Sequence, residues 1–131
     1  MTANLTSILV VDDQASMRKY IKQALTVAGY SVFSEANSGA EALDKIEKTG
    51  FDLVILDWTM PGMSGIDVLK SIRANPKHKD TKVVMVTAEG LKENVIIAVK
   101  AGANNYVVKP FTEALLLEKI EQTLGPDFKP G

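Results

Sequence analysis

Residues 53–57 read Leu-Val-Ile-Leu-Asp, an apolar run that ends directly in a carboxylate. Comparable apolar runs stand at residues 8–11, 83–86 and 106–108. Unbroken runs of this length are typical of strands that are covered on both faces, as in a parallel sheet. Residues 31–34 mix polar and apolar side chains instead, which predicts a strand at the edge of that sheet.

Amphipathic helical patterns fill the gaps between these runs. Apolar residues recur at helical spacing in three segments: Met17, Ile21, Ala24, Leu25 and Ala28; Leu91, Val95, Ala98 and Val99; Leu117, Ile120 and Leu124. Ser38 and Ser64 each stand three residues before an acid, which predicts helix starts with a capping box or a close variant. Five strand–helix units in succession predict an α/β fold, a doubly wound five-stranded parallel sheet with helices on both faces.

Length and composition exclude several function classes. The 131 residues suit one domain, and the absence of cysteine excludes disulfides, thiolate metal sites and thiol catalysis. A formal net charge of −1 leaves no basic excess for a phosphate backbone, so we expect no nucleic-acid partner. The sequence shows neither a signal peptide nor a membrane-spanning run. We therefore expect a cytoplasmic protein without a membrane partner.

Chemically useful side chains follow the apolar runs. Asp12 and Asp13 follow the first run, and Asp57, Thr87 and Lys109 follow three later ones. Ligands bind beyond the carboxyl ends of parallel strands, so these side chains are expected to meet at one edge. Neighbouring strands lie about 4.8 Å apart, and carboxylates at that spacing repel one another. A hard divalent cation relieves the repulsion, and Mg²⁺ suits a site with few protein ligands plus water.

The remaining groups at this edge suit phosphoryl chemistry. A carboxylate can act as the nucleophile in phosphoryl transfer and form an aspartyl phosphate. Lys109 offers a positive charge and Thr87 a hydroxyl, and together they form a cradle for phosphoryl oxygens. Asp12 and Asp13 considered alone would equally suit capping of the first helix.

Four segments resemble the receiver domains of bacterial response regulators: residues 10–13, 56–65, 86–89 and 108–112. The resemblance covers residues 5–124, and residues 125–131 form a tail beyond it. Trp58 and the strings at 87–89 and 92–94 are most similar to the CheY-type single-domain chemotaxis response regulators.

The resemblance implies a flavodoxin-like fold with strand order 2-1-3-4-5 and a phosphoprotein whose acceptor is Asp57. It implies Mg²⁺ as cofactor, with Asp13, Asp57 and the Thr59 backbone carbonyl as direct ligands and Asp12 acting through water. Thr87 and Lys109 would follow the phosphoryl oxygens. The Lys109-Pro110 peptide bond is expected to be cis.

The resemblance also implies a switch and partner face on the fourth helix, fifth strand and fifth helix. Tyr106 would swing inward on phosphorylation. The other residues assigned to this face are Lys92, Val95, Val99, Phe111 and Lys119, with Lys100 on its basic rim. The implied partners of this monomer are a CheA-like histidine kinase, a FliM-like flagellar motor switch protein and a dedicated phosphatase. The protein would be no enzyme beyond slow self-dephosphorylation, tuned by Thr59 and Glu89.

Other functions stay open at this point. The receiver could serve as a phosphate sink, act in a non-flagellar pathway or be excised from a longer regulator. A haloacid-dehalogenase-type aspartyl-phosphate phosphatase has Asp-x-Asp after its first strand, whereas Asp57-Trp58-Thr59 follows the third here. A flavodoxin-like electron carrier is disfavoured because Asp12 and Asp13 would repel the flavin phosphate. The single histidine, His78, is expected in a surface loop without a role.

Overall fold

The computed structural model describes residues 4–88 and 90–125. Strands and helices alternate in the order β1 (Asn4–Val11), α1 (Ala15–Val27), β2 (Tyr30–Ala36), α2 (Gly39–Thr49), β3 (Leu53–Asp57), α3 (Gly65–Ala74), β4 (Lys82–Thr87), α4 (Lys92–Ala101), β5 (Asn105–Val108) and α5 (Glu113–Leu124). A short 3₁₀ turn, Pro76–His78, precedes β4. Glu89 and residues 126–131 of the predicted tail lie outside the described residues. None of the helices in the described ranges combines the length and apolarity needed to cross a membrane.

The five strands form one parallel sheet in the order β2-β1-β3-β4-β5. The predicted fold class and the strand order implied by the resemblance are therefore confirmed. β2 lies at an edge, as its mixed polarity predicts, whereas every residue of the central strand β3 is buried. Because β2 and β3 lie on opposite sides of β1, the chain changes direction there, which places a ligand crevice beyond the ends of β1 and β3.

Helices cover both faces of the sheet. α1 and α5 bury one layer of apolar side chains, which includes Ile21, Leu25, Leu116 and Ile120. α2, α3 and α4 bury the other layer, which includes Ala42, Ile46, Val68, Leu69, Ile72 and Ala98. The loops that follow β1, β3, β4 and β5 contribute residues to an open cleft at the carboxyl ends of the strands.

The two predicted helix starts are confirmed. The Ser64 hydroxyl accepts a hydrogen bond from the Asp67 N–H while the Asp67 carboxylate accepts from the Ser64 N–H, which is a complete capping box. The Ser38 hydroxyl accepts from the Glu41 N–H, but the Glu41 carboxylate reaches back one residue further, to the Asn37 N–H. The first is a full box and the second a close variant.

The helical pattern assigned to α4 is only partly correct. Of the ten residues of α4, all of which the structure describes, Ala98 is the one that is buried. Leu91 precedes the helix and is 61% exposed, and Val99 is 57% exposed. Ala28 likewise ends α1 in an exposed position. Apolar residues occur around much of α4, and periodicity alone does not tell which of them meets the sheet.

The prediction for His78 is wrong. His78 is only 7% exposed, at the end of the 3₁₀ turn, and its Nε2 lies 3.3 Å from Glu47 Oε2 on α2. Asn75 and Lys77 contact the same carboxylate. The turn therefore folds back onto α2, and this tertiary contact buries a histidine whose sequence neighbours are polar.

Candidate functional site

The side chains that follow the strands do meet at one edge. Asp12 follows β1, Asp57 and Thr87 end β3 and β4, and Lys109 follows β5. β1 pairs with β3, and β3 with β4, so adjacent strand ends carry these groups side by side. Asp57 and Lys109 border an open cleft of about 320 Å³. The residues that line it are Asp13, Gln14, Asp57, Thr59, Ala88 and Lys109.

Three carboxylates form the acidic end of this cleft. Asp12, Asp13 and Asp57 each place a carboxylate oxygen within 4.8 Å of the others, with Asp12 and Asp57 buried and Asp13 exposed. Burial raises the pKa of Asp57 to about 6, and the negative charge of Asp12 adds to the rise. The Lys109 charge and a hydrogen bond from the Thr59 N–H act in the opposite direction. Burial and the neighbouring Asp12 charge therefore disfavour the ionised form of Asp57 more than Lys109 and Thr59 favour it.

The donor set fits a hard divalent cation. All three carboxylates offer oxygen, the ligand that Mg²⁺ prefers. A cation among them would favour the ionised form of Asp57, whose pKa is raised first by burial and second by the charge of Asp12. The exposed Asp13 leaves the cleft open on the solvent side, where a cation that retains water ligands can enter. The residues present are therefore compatible with the Mg²⁺ site that the sequence predicts.

Lys109 bridges the two buried acids. Its Nζ lies 2.9 Å from Asp12 Oδ2 and 3.4 Å from Asp57 Oδ1. The Lys109-Pro110 peptide bond is cis, as expected. The sequence placed Lys109 near Asp57 but gave no indication of its close pair with Asp12, because that contact depends on how β5 aligns with β1 across two intervening strands.

Asp12 also stabilises the turn that leads into the first helix. Its Oδ1 accepts a hydrogen bond from the N–H of Gln14, the residue at the start of α1, at 2.9 Å. Asp12 therefore supports this turn with one carboxylate oxygen and contacts Lys109 in the site with the other, while the N-cap position of α1 is Gln14 rather than either acid. Gln14 and Ala88 line the cleft but were not singled out in the sequence, because neither residue type indicates chemistry by itself.

Thr87 lies fully buried at the end of β4, beside the cleft. Its carbonyl accepts a hydrogen bond of 2.7 Å from the Lys109 N–H, which fixes the ends of β4 and β5 relative to each other. Trp58 and Tyr106 are both half-buried and meet edge to face, with their ring centroids 6.4 Å apart. A direct contact thus joins the residue after Asp57 to β5.

The residues assigned to the partner face are not all equally accessible. Lys92 and Val99 are exposed, whereas Val95 and Lys119 are half-buried. Phe111 packs in the other direction, against Tyr20 of α1, whose hydroxyl donates to the Phe111 carbonyl. Four exposed apolar residues near this face were missed: Ile96, Ile97, Val108 and Leu115. Ile96 and Ile97 lie on α4, and the apolar residues on several sides of this helix could have indicated that some of them are exposed.

Residues 8–121 match the family model described as "Response regulator receiver domain". The chain belongs to this family. The receiver is 48% identical over 119 residues to "Chemotaxis protein CheY homolog" of Campylobacter jejuni, with 90% of this chain and 92% of that protein covered. It is 48% identical over 115 residues to "Chemotaxis protein CheY-3" of Vibrio cholerae, which covers 88% of each.

Solved structures give the same result for the receiver. The Vibrio cholerae chemotaxis protein CheY4 superposes with a TM-score of 0.86 at 35% identity, over 92% of this chain and all of that chain. A CheY-like receiver domain protein from Methanospirillum hungatei superposes with a TM-score of 0.82 at 34% identity, over 91% and 93%. The CheY-type resemblance inferred from the motifs is therefore confirmed, and the phosphatase and electron-carrier alternatives are disfavoured.

Proposed function

We propose that this receiver is a chemotaxis response regulator that is activated by phosphorylation of Asp57 in the presence of Mg²⁺. The observation that carries the proposal is the buried pair Asp12 and Asp57, bridged by Lys109 Nζ at 2.9 and 3.4 Å and joined by Asp13 at the mouth of the cleft. The chemotaxis assignment is supported by the similarity to the two chemotaxis proteins of Campylobacter jejuni and Vibrio cholerae.

Asp57 is suited to act as the nucleophile. With a pKa of about 6, its carboxylate is largely ionised near neutral pH, and it lines a cleft open to a phosphodonor. An oxygen of Asp57 would bond to phosphorus as the bond to the donor imidazole nitrogen of a CheA-like histidine kinase breaks. The imidazole leaves with the electron pair of that bond, and Asp57 keeps the phosphoryl group.

Asp13, Asp57 and the Thr59 carbonyl would hold Mg²⁺, with Asp12 acting through water. When bound, Mg²⁺ supplies positive charge that offsets the charge of the transferring phosphoryl oxygens. Lys109 is poised for the same oxygens, because its ammonium group already lies between the two buried acids. Thr87, buried at the adjacent strand end, would donate its hydroxyl to the phosphoryl group.

Signalling would proceed by a shift between two conformations. A phosphoryl group favours whichever conformation it contacts better, and the size of the shift equals that difference in interaction. Tyr106, in contact with Trp58, would report the change to the face formed by α4, β5 and α5. The exposed Lys92 and Val99, with the half-buried Val95 and Lys119, would present that face to a FliM-like motor switch protein.

Loss of the phosphoryl group, cellular location and oligomeric state belong to the same proposal. The protein would be a cytoplasmic monomer without enzymatic activity beyond slow self-dephosphorylation. Thr59, exposed in the cleft, and Glu89 would flank the path of the attacking water, and a dedicated phosphatase would accelerate that step. A phosphate sink or a regulator of a non-flagellar pathway would use the same site with a different output.

The test uses Trp58, the single tryptophan of the chain, as a fluorescent reporter beside Asp57. Mg²⁺ with acetyl phosphate, or with beryllofluoride, is expected to change the Trp58 emission of the wild-type protein. Asp57→Asn, which preserves the shape of the side chain, is expected to abolish the change. A wild-type protein that fails to respond, or a response that persists in Asp57→Asn, would contradict the assignment of the acceptor.

A further inference from the structure

Arg18 of α1 joins the edge strand β2 to the turn that carries the acids. Its Nε donates to Glu35 Oε1 at 3.0 Å, and its Nη1 donates to the backbone carbonyl of Asp12 at 2.7 Å. The side chain is only 16% exposed. The two nitrogens of one planar guanidinium thus connect two chain segments in a fixed geometry.

Each polar group of Asp12 has a hydrogen-bond partner, and the partner of its backbone carbonyl is Arg18. The Asp12 N–H donates to the Ala36 carbonyl, and its two carboxylate oxygens accept from the Gln14 N–H and from Lys109 Nζ. The carbonyl held by Arg18 belongs to the planar peptide unit that joins Asp12 to Asp13. Holding this oxygen therefore fixes the plane from which the exposed Asp13 side chain projects.

Glu35 sets the orientation of Arg18. Its second carboxylate oxygen accepts from Lys22 Nζ at 2.7 Å, and Lys45 Nζ donates to its backbone carbonyl. The hydrogen bond from Lys22, together with the Arg18 contact, holds the pKa of Glu35 below its usual range. Glu35 is therefore a charged acceptor that faces the Arg18 guanidinium.

We propose that Arg18, oriented by Glu35, is a positioning residue for the metal site at Asp12, Asp13 and Asp57. It acts through the Asp12–Asp13 peptide and touches neither the metal nor the phosphoryl group. This inference rests on the Mg²⁺ binding contained in the proposed function.

A positioning role and a purely electrostatic role of Arg18 predict opposite effects of its removal on Mg²⁺ affinity. A guanidinium next to a group of carboxylates repels an incoming cation, so its removal would strengthen Mg²⁺ binding if charge alone mattered. If Arg18 holds the peptide plane, its removal would weaken Mg²⁺ binding even though a positive charge has been lost. Arg18→Met removes the charge and the donors together, whereas Arg18→Lys keeps the charge but loses the planar fork.

The experiment titrates the full chain with MgCl₂ by calorimetry. Arg18→Met and Arg18→Lys are each expected to weaken Mg²⁺ binding by about tenfold, as supporting residues around metal ligands do. Lys48→Met serves as the control, because the exposed Lys48 pairs with Asp44 on α2. This change removes a positive charge without altering the Arg18–Glu35 pair, and the variant is expected to bind Mg²⁺ nearly as the wild type does. Amide hydrogen exchange without metal is expected to accelerate over residues 12–18 in both Arg18 variants.

The outcomes separate the two proposals. A wild-type protein that does not bind Mg²⁺ would contradict the proposed function itself. Normal wild-type binding with unchanged or tighter binding in Arg18→Met would overturn the positioning role alone, as would wild-type affinity in Arg18→Lys. The metal-free exchange rates give a second readout that does not depend on affinity, and unchanged exchange over residues 12–18 would likewise overturn it.

Discussion

Asp57 must be accessible to a phosphodonor and yet lies almost entirely below the protein surface. Asp57 is 5% exposed, and burial together with the charge of Asp12 raises its pKa to about 6. The unfolded chain imposes neither effect, so its aspartates titrate near 3.9. The native state therefore holds Asp57 in a form that costs stability whenever the carboxylate is ionised and no metal is present.

Replacing Asp57 with asparagine is expected to stabilise the metal-free protein at neutral pH. Because the folded pKa lies above the unfolded one, the wild type is least penalised below about pH 4 and loses stability as the pH rises through 6. Asparagine carries no charge and has no such penalty. The unfolding free energy of Asp57→Asn should therefore exceed that of the wild type by an amount that grows between pH 4 and 6 and levels off at about 1–3 kcal/mol. Urea unfolding in EDTA from pH 4 to 8 measures this difference.

Asp44→Asn provides the control for that measurement. Asp44 is an exposed carboxylate on α2 that pairs with Lys48 four residues on, so its removal should leave no comparable pH-dependent difference in stability. A gap for Asp57→Asn that is constant with pH, or largest near pH 4, would argue against the ionised carboxylate as its source.

At the scale of elements, the β3–α3 connection carries the tightest backbone approach near the site. The Gly65 N–H donates to the Trp58 carbonyl at 2.8 Å, directly beside Asp57. A Cβ at position 65 would collide with the Asp57 carbonyl oxygen and lie 2.8 Å from the Trp58 Cα. The first turn of α3 can start this close to β3 only because residue 65 has no side chain.

Gly65→Ala is expected to cost more than about 2 kcal/mol of stability, at the upper end of overpacking effects, and to reduce the Trp58 response to Mg²⁺ and beryllofluoride. Gly62→Ala is the matched variant in the same connection. Gly62 has a φ of 79° but open space around it, so alanine there should cost only about 1–2 kcal/mol of backbone strain. Urea unfolding ranks the two, and equal costs would show that crowding at Gly65 is relieved locally.

The sequence predicts some elements better than others for physical reasons. β3 is recognisable because a strand buried on both faces needs an unbroken apolar run, and its end locates Asp57 without any tertiary information. For α4 the pattern includes the buried Ala98 but also the exposed Val99, since the apolar residues of this helix do not single out one face. Arg18 could not be recognised at all, because its role depends on the pairing that places Glu35 opposite Val10.

At the scale of the whole molecule, hydrogen bonds from Arg73 stabilise the end of the fold opposite the site. Arg73, on α3, donates to the carbonyls of Thr81 and Gly102 at 2.7 and 3.0 Å and to the side chain of Asn104 at 2.8 Å. These bonds hold the end of α4 and the start of β5. The beginning of α4 follows Leu91, whose side chain offers no capping hydrogen bond. We expect changes that start at Asp57 to be accommodated at the beginning of α4 rather than at its end.

The site and the α4-β5-α5 face are expected to be coupled reciprocally. Beryllofluoride with Mg²⁺ should raise the affinity for a flagellar motor-switch peptide by about 5- to 150-fold, and the peptide should raise the affinity for beryllofluoride by the same factor. Peptide fluorescence anisotropy and Trp58 emission measure the two directions. Asp57→Asn is the control and should bind the peptide weakly in both conditions. A peptide that binds without changing the beryllofluoride affinity would indicate another output for this receiver.

The contact between Lys45 and the Glu35 carbonyl has a consequence for self-association. Consecutive carbonyls alternate in direction along a strand, and the Ala36 carbonyl faces β1, where it accepts from Asp12. The Glu35 carbonyl therefore points away from the sheet, along the open edge of β2. An open edge is a template on which the strand of another molecule can dock and begin to aggregate. Lys45 donates a hydrogen bond to one carbonyl of this edge and places its ammonium group there. The edge is therefore less able to nucleate fibrils.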